Sequence, residues 1–109
     1  MPWLLRDGEV LSSLEVADTW QSRRRGLLGR NAIEGAILLR PARGVHTLGM
    51  RFPIDVAFLD GELKVIRVVS MPRWRVGLPV LRARAVVEAE RGAFRDWELQ
   101  VGDELEIKD

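Results

Sequence analysis

Short apolar runs broken by Gly, Pro and Asp-Gly turns fill this chain, and none approaches the roughly eighteen residues of a membrane span. Trp3 to Arg6 and Glu9 to Val16 are predicted strands joined through a tight Asp7-Gly8 turn, with Val10, Leu14 and Val16 on the inward face of the second. Asp18 opens a helix with Gln21 as its capping-box partner, and the helix runs to about Leu28 and stops at Gly29. Trp20, Leu27 and Leu28 form its apolar stripe, and Arg23, Arg24 and Arg25 cover the rest. Gly26 inside it implies a close backbone contact. Ile33 to Gly35 is a turn, Ala36 to Leu39 a short buried strand, and Pro41 to Gly44 a loop.

The stretch Val45 to Asp60 organises the middle of the chain. Ile54, Val56 and Phe58 fall on one side of a strand and Asp55, Ala57 and Leu59 on the other, so the strand is expected to be covered on both faces. Asp60-Gly61 reads as a two-residue hairpin turn. It would set Phe58 against Leu63, Val56 against Val65 and Asp55 against Ile66, with Lys64 diagonal to Asp55. Phe52-Pro53 is an X-Pro bond, which keeps Phe52 extended and has a modest cis population. Leu63 to Met71 is the return strand. Pro72 to Pro79, with Arg73, Trp74 and Arg75, is a lid or rim loop. Ala83 to Glu90 is a strand with Ala85, Val87 and Ala89 on one side, and Gly92 to Trp97 is a short helix or turn. The final strand alternates Leu105 and Ile107 with Glu104, Glu106 and Lys108. The sum is an α+β fold, mostly antiparallel β. It is expected as a small, partly closed, barrel-like sheet with one main helix and a short second helical turn, in a single domain over residues 1–109.

Composition narrows the chemistry. The chain has 109 residues, a net charge of +1 and no cysteine. Disulfides and thiolate metal sites are excluded, and one histidine is too few ligands for a structural zinc site, so neither metal nor cofactor is expected. Near-neutral charge argues against a general nucleic-acid or anionic-membrane binder. The Arg73-Trp74-Arg75 run is thin support for single-strand binding. The cations are almost all arginine, whose planar forks suit carboxylate or phosphate; a GC-rich prokaryotic genome explains that usage more simply. The amino terminus lacks the pattern of a signal peptide, so cytoplasmic residence is the expectation.

Two polar features interrupt the apolar pattern. Asp55 is a carboxylate in a half-apolar strand and needs a partner, which Lys64 or Arg51 would supply; it reads either as a structural ion-pair or turn-binding group or as part of a site. His46, with Thr47 and Arg51, reads either as a backbone-bonded histidine or as the centre of a polar cluster. The RGLLGR run, the HTLGMRFPIDVAFLD stretch, the MPRWR segment and the AVVEAERGAF…GDELEI tail together resemble the domain-of-unknown-function family 192, from about Leu14 to Ile107. That resemblance implies a small bacterial or archaeal protein with a β-rich α+β domain and no established activity. The family's RGLxGR pattern also implies that Arg23 or Arg30 points toward the His46 cluster. Many relatives carry WMKNT where this chain has His46-Thr47-Leu48-Gly49-Met50. Ala42 and Gly44 stand where histidine-bearing relatives have Cys and Ser, so a thiol-based role is not expected.

These residues admit three functional readings. The first is a non-catalytic binding module that grips a small anion, or a carboxylate-bearing partner, through His46, Thr47, Arg51, Asp55, Trp74, Arg75, Arg23 and Arg30. The second is an enzyme with His46 as general acid or base, Asp55 orienting it and Arg51 stabilising negative charge. The third is an interaction subunit of a larger assembly, docking through a sheet edge or apolar patch.

Overall fold

A computed structural model describes residues 1–109. In chain order the elements are β1 (Trp3–Arg6), β2 (Glu9–Ala17), α1 (Trp20–Arg25), β3 (Ala36–Leu39), β4 (Ile54–Leu59), β5 (Val65–Met71), β6 (Ala85–Glu90), α2 (Ala93–Asp96) and β7 (Leu105–Lys108). The strands form one mixed seven-stranded sheet in the order β5-β4-β6-β3-β2-β1-β7. β2 and β3 are parallel and the other neighbours antiparallel. With two short helices this is an α+β fold. No helix is long and apolar enough to cross a membrane.

Alternation along the central strands creates two apolar layers. Ile54, Val56 and Phe58 of β4 lie with Ile37 of β3 and Val86 of β6; Ala57 and Leu59 lie with Leu38, Val87 and Ala89 on the opposite face. Every residue of β4 is buried, as its doubly apolar pattern requires. Leu4, Leu14, Phe94 and Leu105 from the flanking elements complete the second layer. The expected closure into a barrel is met only loosely. The residues just before the edge strands β5 and β7 touch through one bridge, Lys64 to Glu104, with backbone hydrogen bonds tying residues 63–65 to residues 102–105.

Several local expectations are corrected. The Asp7-Gly8 turn forms, with positive φ at both residues, but a register shift between Leu4 and Leu5 leaves Leu11 as an extra residue of β2. Leu11 therefore packs inward while Val10 is exposed. The α1 cap is Thr19, not Asp18. Ser22 N–H donates to Thr19 Oγ1 at 3.0 Å, and Thr19 N–H donates to Ser22 Oγ at 3.0 Å. Gly26, with φ 44°, terminates the helix instead of lying within it. Trp20 is exposed, so Leu27 alone of the expected stripe reaches the core. The cis peptide precedes Pro41, not Pro53.

The β4–β5 hairpin has a longer loop than Asp60-Gly61 suggested. The Asp60 carboxylate accepts from the N–H groups of Glu62 and Lys64 at 2.9 and 3.0 Å, and Leu63 takes φ 63°. The bonds from Lys64 and Glu62 hold the Asp60 carboxyl below its usual range. The register becomes Val56 to Val69, Phe58 to Arg67 and Asp55 to Ser70, and Lys64 is no longer diagonal to Asp55.

Candidate functional site

Two long connections, residues 40–53 and 72–84, run side by side over the layer of Val56 and Val86. Ala42, Val45, Met50, Val80 and Ala83 pack onto that layer. The two segments pair through backbone hydrogen bonds: Thr47 N–H to Arg75 O at 2.7 Å, Gly77 N–H to Val45 O at 3.0 Å, Val80 N–H to Arg43 O at 2.8 Å and Ala42 N–H to Arg84 O at 3.0 Å. The segment from Pro72 to Pro79 is thus one side of an irregular ribbon, pinned through His46 and Thr47. Trp74, Val76, Leu78 and Leu81 stand exposed along it.

Thr47 is fully buried and fastens this ribbon. Its hydroxyl donates to Pro72 O at 2.6 Å and accepts from Arg75 N–H at 2.9 Å. Thr47→Val keeps the shape but strands both partners, and is expected to lower stability by about 2 kcal/mol in urea unfolding. An unchanged midpoint would show that the hydroxyl does not hold the loop.

Between α1, the ribbon and the sheet lies a cavity of about 80 Å³ whose lining includes Arg23, Leu27, Leu39, His46, Met50 and Glu88. Arg24 and Arg25 also border it. Glu88 sits on β6, paired across to Val56 on one side and Ile37 on the other, and is only 5% exposed. No protein group hydrogen-bonds its carboxyl and no cation pairs with it; burial alone pushes it up to about 7. The Arg23 guanidinium is turned to the carbonyls of Asp18 and Arg40, at 3.2 and 3.5 Å, and Arg24 stacks over Trp20 at 5.2 Å. His46 Nδ1 accepts from Leu48 N–H at 3.3 Å, which leaves Nε2 as the ring's donor, and no protein acceptor takes it. The arrangement is a cationic and hydrogen-bonding mouth above a largely buried carboxyl that no protein group bonds and whose oxygens stay open to the cavity.

The residues singled out from the sequence divide accordingly. His46 and Arg23 border the cavity, and Thr47 supports its wall. Arg75 bends back to the carbonyls of Arg73 and Trp74, and Trp74 is 61% exposed on the same ribbon. Arg51 turns to Asn31 Oδ1 at 2.9 Å, and Arg30 pairs with Glu15 at 2.8 Å. Asp55 bonds neither Lys64 nor Arg51. Its carboxylate accepts from Gly92 N–H at 2.9 Å and Phe94 N–H at 3.2 Å, on the face of β4 opposite Val56. The His46–Asp55 couple of the enzyme reading is therefore not formed. Glu88 is the functional candidate that sequence reading missed. Its signal was a carboxylate inside the apolar Val86-Val87-Glu88-Ala89 run, the same signal that marks Asp55.

Fold and cavity define a class: a small α+β domain with a curved mixed sheet, one face roofed by a helix and paired connections. The chain belongs to the family DUF192, described as "Uncharacterized ACR", whose profile matches residues 4–107. It is 29% identical over 104 residues to a UPF0127 protein of Pyrococcus horikoshii, covering 91% of this chain and 87% of that one. A UPF0127 protein of Pyrococcus abyssi is 32% identical over 98 residues, covering 85% and 84%. These relatives are archaeal and lend no support to the expectation of a bacterial chain. Two crystal structures share the fold at TM-score 0.79 and 18% identity, each over 96% of this chain. One is a protein of unknown function from Novosphingobium aromaticivorans, covered over 82% of its length. The other is a putative transcription regulator from Sinorhizobium meliloti, covered over 90%.

Proposed function

We propose that this chain is a non-catalytic binding module, in a histidine-bearing variant of its family, whose cavity beneath α1 receives the anionic end of a small ligand. The observation that carries the reading is the convergence of Arg23, Arg24, Arg25 and His46 around one opening. Guanidinium forks and an imidazole donor are the groups that bind carboxylate or phosphate. Arg23 is half-buried and held only by neutral carbonyls, so an anion competes for it without breaking an ion pair.

The test is an NMR titration of the ¹⁵N-labelled protein with acetate and with inorganic phosphate. At least one anion is expected to shift the Arg23 and His46 signals saturably. Arg23→Ala is expected to weaken that binding about tenfold, the scale of one charge-assisted hydrogen bond. If neither anion moves these two residues, the reading is wrong.

A further inference from the structure

We infer that the ligand of this cavity carries an ammonium group as well as an anion, and is a small amino acid: its amino end on Glu88, its carboxylate at the mouth by Arg23 and His46. This rests on the anion-binding reading and adds the second half of the ligand.

A buried carboxyl ordinarily finds a hydrogen-bond donor or a cation. Glu88 is in the middle of the sheet, between Val56 and Ile37, and has neither. Its side chain borders a cavity, so the place for the donor is that cavity. The nearby cations do not fill it. Arg23 is engaged with the carbonyls of Asp18 and Arg40, and Arg24 with Trp20.

Electrostatics then selects between ligand types. A simple amine satisfies Glu88 but must pass the guanidinium groups at the mouth. A simple anion satisfies the mouth but meets the Glu88 carboxyl as its charge forms. A molecule with an ammonium at one end and a carboxylate at the other complements both. Size agrees. A cavity of about 80 Å³ has room for several waters, each needing about 10–15 Å³ of such space. That admits an ammonium with its first carbons and leaves the carboxylate at the rim.

The experiment uses the full chain at pH 7, with glycine, β-alanine and 4-aminobutyrate as probes and propionate and methylammonium as half-ligands. Binding is followed through the Arg23 and His46 signals and through the ¹³C resonance of the Glu88 carboxyl. At least one amino acid is expected to bind about tenfold or more tightly than propionate, the scale of one hydrogen-bonded charge pair. It should also move the Glu88 carboxyl resonance to its ionised position. Glu88→Gln, nearly the same shape, is expected to abolish that advantage while propionate binds at least as tightly as in wild type, because the charge that opposes it is gone; its amide spectrum verifies folding. If propionate binds as tightly as every amino acid, or if Glu88→Gln keeps the advantage, the amino-acid inference fails and the anion site stands. If no probe moves Arg23 or His46, the amino-acid inference fails, and the anion site stands or falls by the acetate and phosphate titration.

Discussion

Asp55→Ala is expected to destabilise the protein by about 4 kcal/mol, the sum of two lost bonds to a charged acceptor. Gly92 is the residue before α2, and it has no side chain with which to cap the helix. Asp55 reaches across from β4 and accepts the N–H groups of both Gly92 and Phe94. Removing it leaves two donors without partners in a region from which water is largely excluded. Each bond to a charged acceptor contributes about 1.5–3 kcal/mol. The loss spreads through Phe94, which is buried and stacks with Trp97 at 5.3 Å. Asp55→Asn keeps one acceptor oxygen and is expected to lose about half as much. Guanidinium unfolding of the three proteins decides the matter. Equal midpoints for wild type and Asp55→Ala would mean that the carboxylate does not hold α2.

The second large effect is a dependence on pH. The Glu88 carboxyl is raised from its ordinary 4.5 to about 7 by burial. Between those values the folded chain keeps a proton that the unfolded chain has released, so stability falls as pH rises through this window. The contribution is fully present below about pH 4.5 and is lost above about pH 7; a shift of this size corresponds to roughly 3 kcal/mol. Glu88→Gln has no charge to bury. Its stability relative to wild type is expected to improve by roughly 3 kcal/mol between about pH 4 and about pH 8. The Asp60 carboxyl is shifted the other way and is present in both proteins, so it cancels in the comparison. Parallel pH profiles for the two proteins would show that Glu88 titrates as an ordinary surface carboxyl.

Much of the architecture was legible because it follows from alternation. β4 is apolar on both sides and is buried on both; β7 alternates and keeps one wet face. Turn chemistry was legible where only backbone φ mattered, as at Asp7-Gly8. It misled where a side chain intervened. The Asp60 carboxylate organises the backbone two and four residues on, and so lengthens a loop that the Asp-Gly pair alone would have made tight. One such change moves every partner along β5, and with it the expected neighbours of Asp55. The site was half legible. His46 and Arg23 do border one cavity, but Arg51 and Arg30 are engaged elsewhere, by Asn31 and Glu15, through contacts between segments distant in sequence. Asp55 and Glu88 look alike as isolated carboxylates in apolar strands. Which one faces a helix terminus and which one faces a void depends on the elements laid over each side of the sheet, and no local pattern encodes that.

The roof over Glu88 is two connections stitched to each other, whereas the floor is a central strand locked between two neighbours. Amide protons in the floor are therefore expected to exchange with solvent far more slowly than those of the stitching, because opening a central strand approaches global unfolding and parting two loops does not. Access to the buried carboxyl then depends on the breathing of the roof. Sequence drift in those connections is free to change how fast, and to what, the chamber opens without disturbing the sheet beneath.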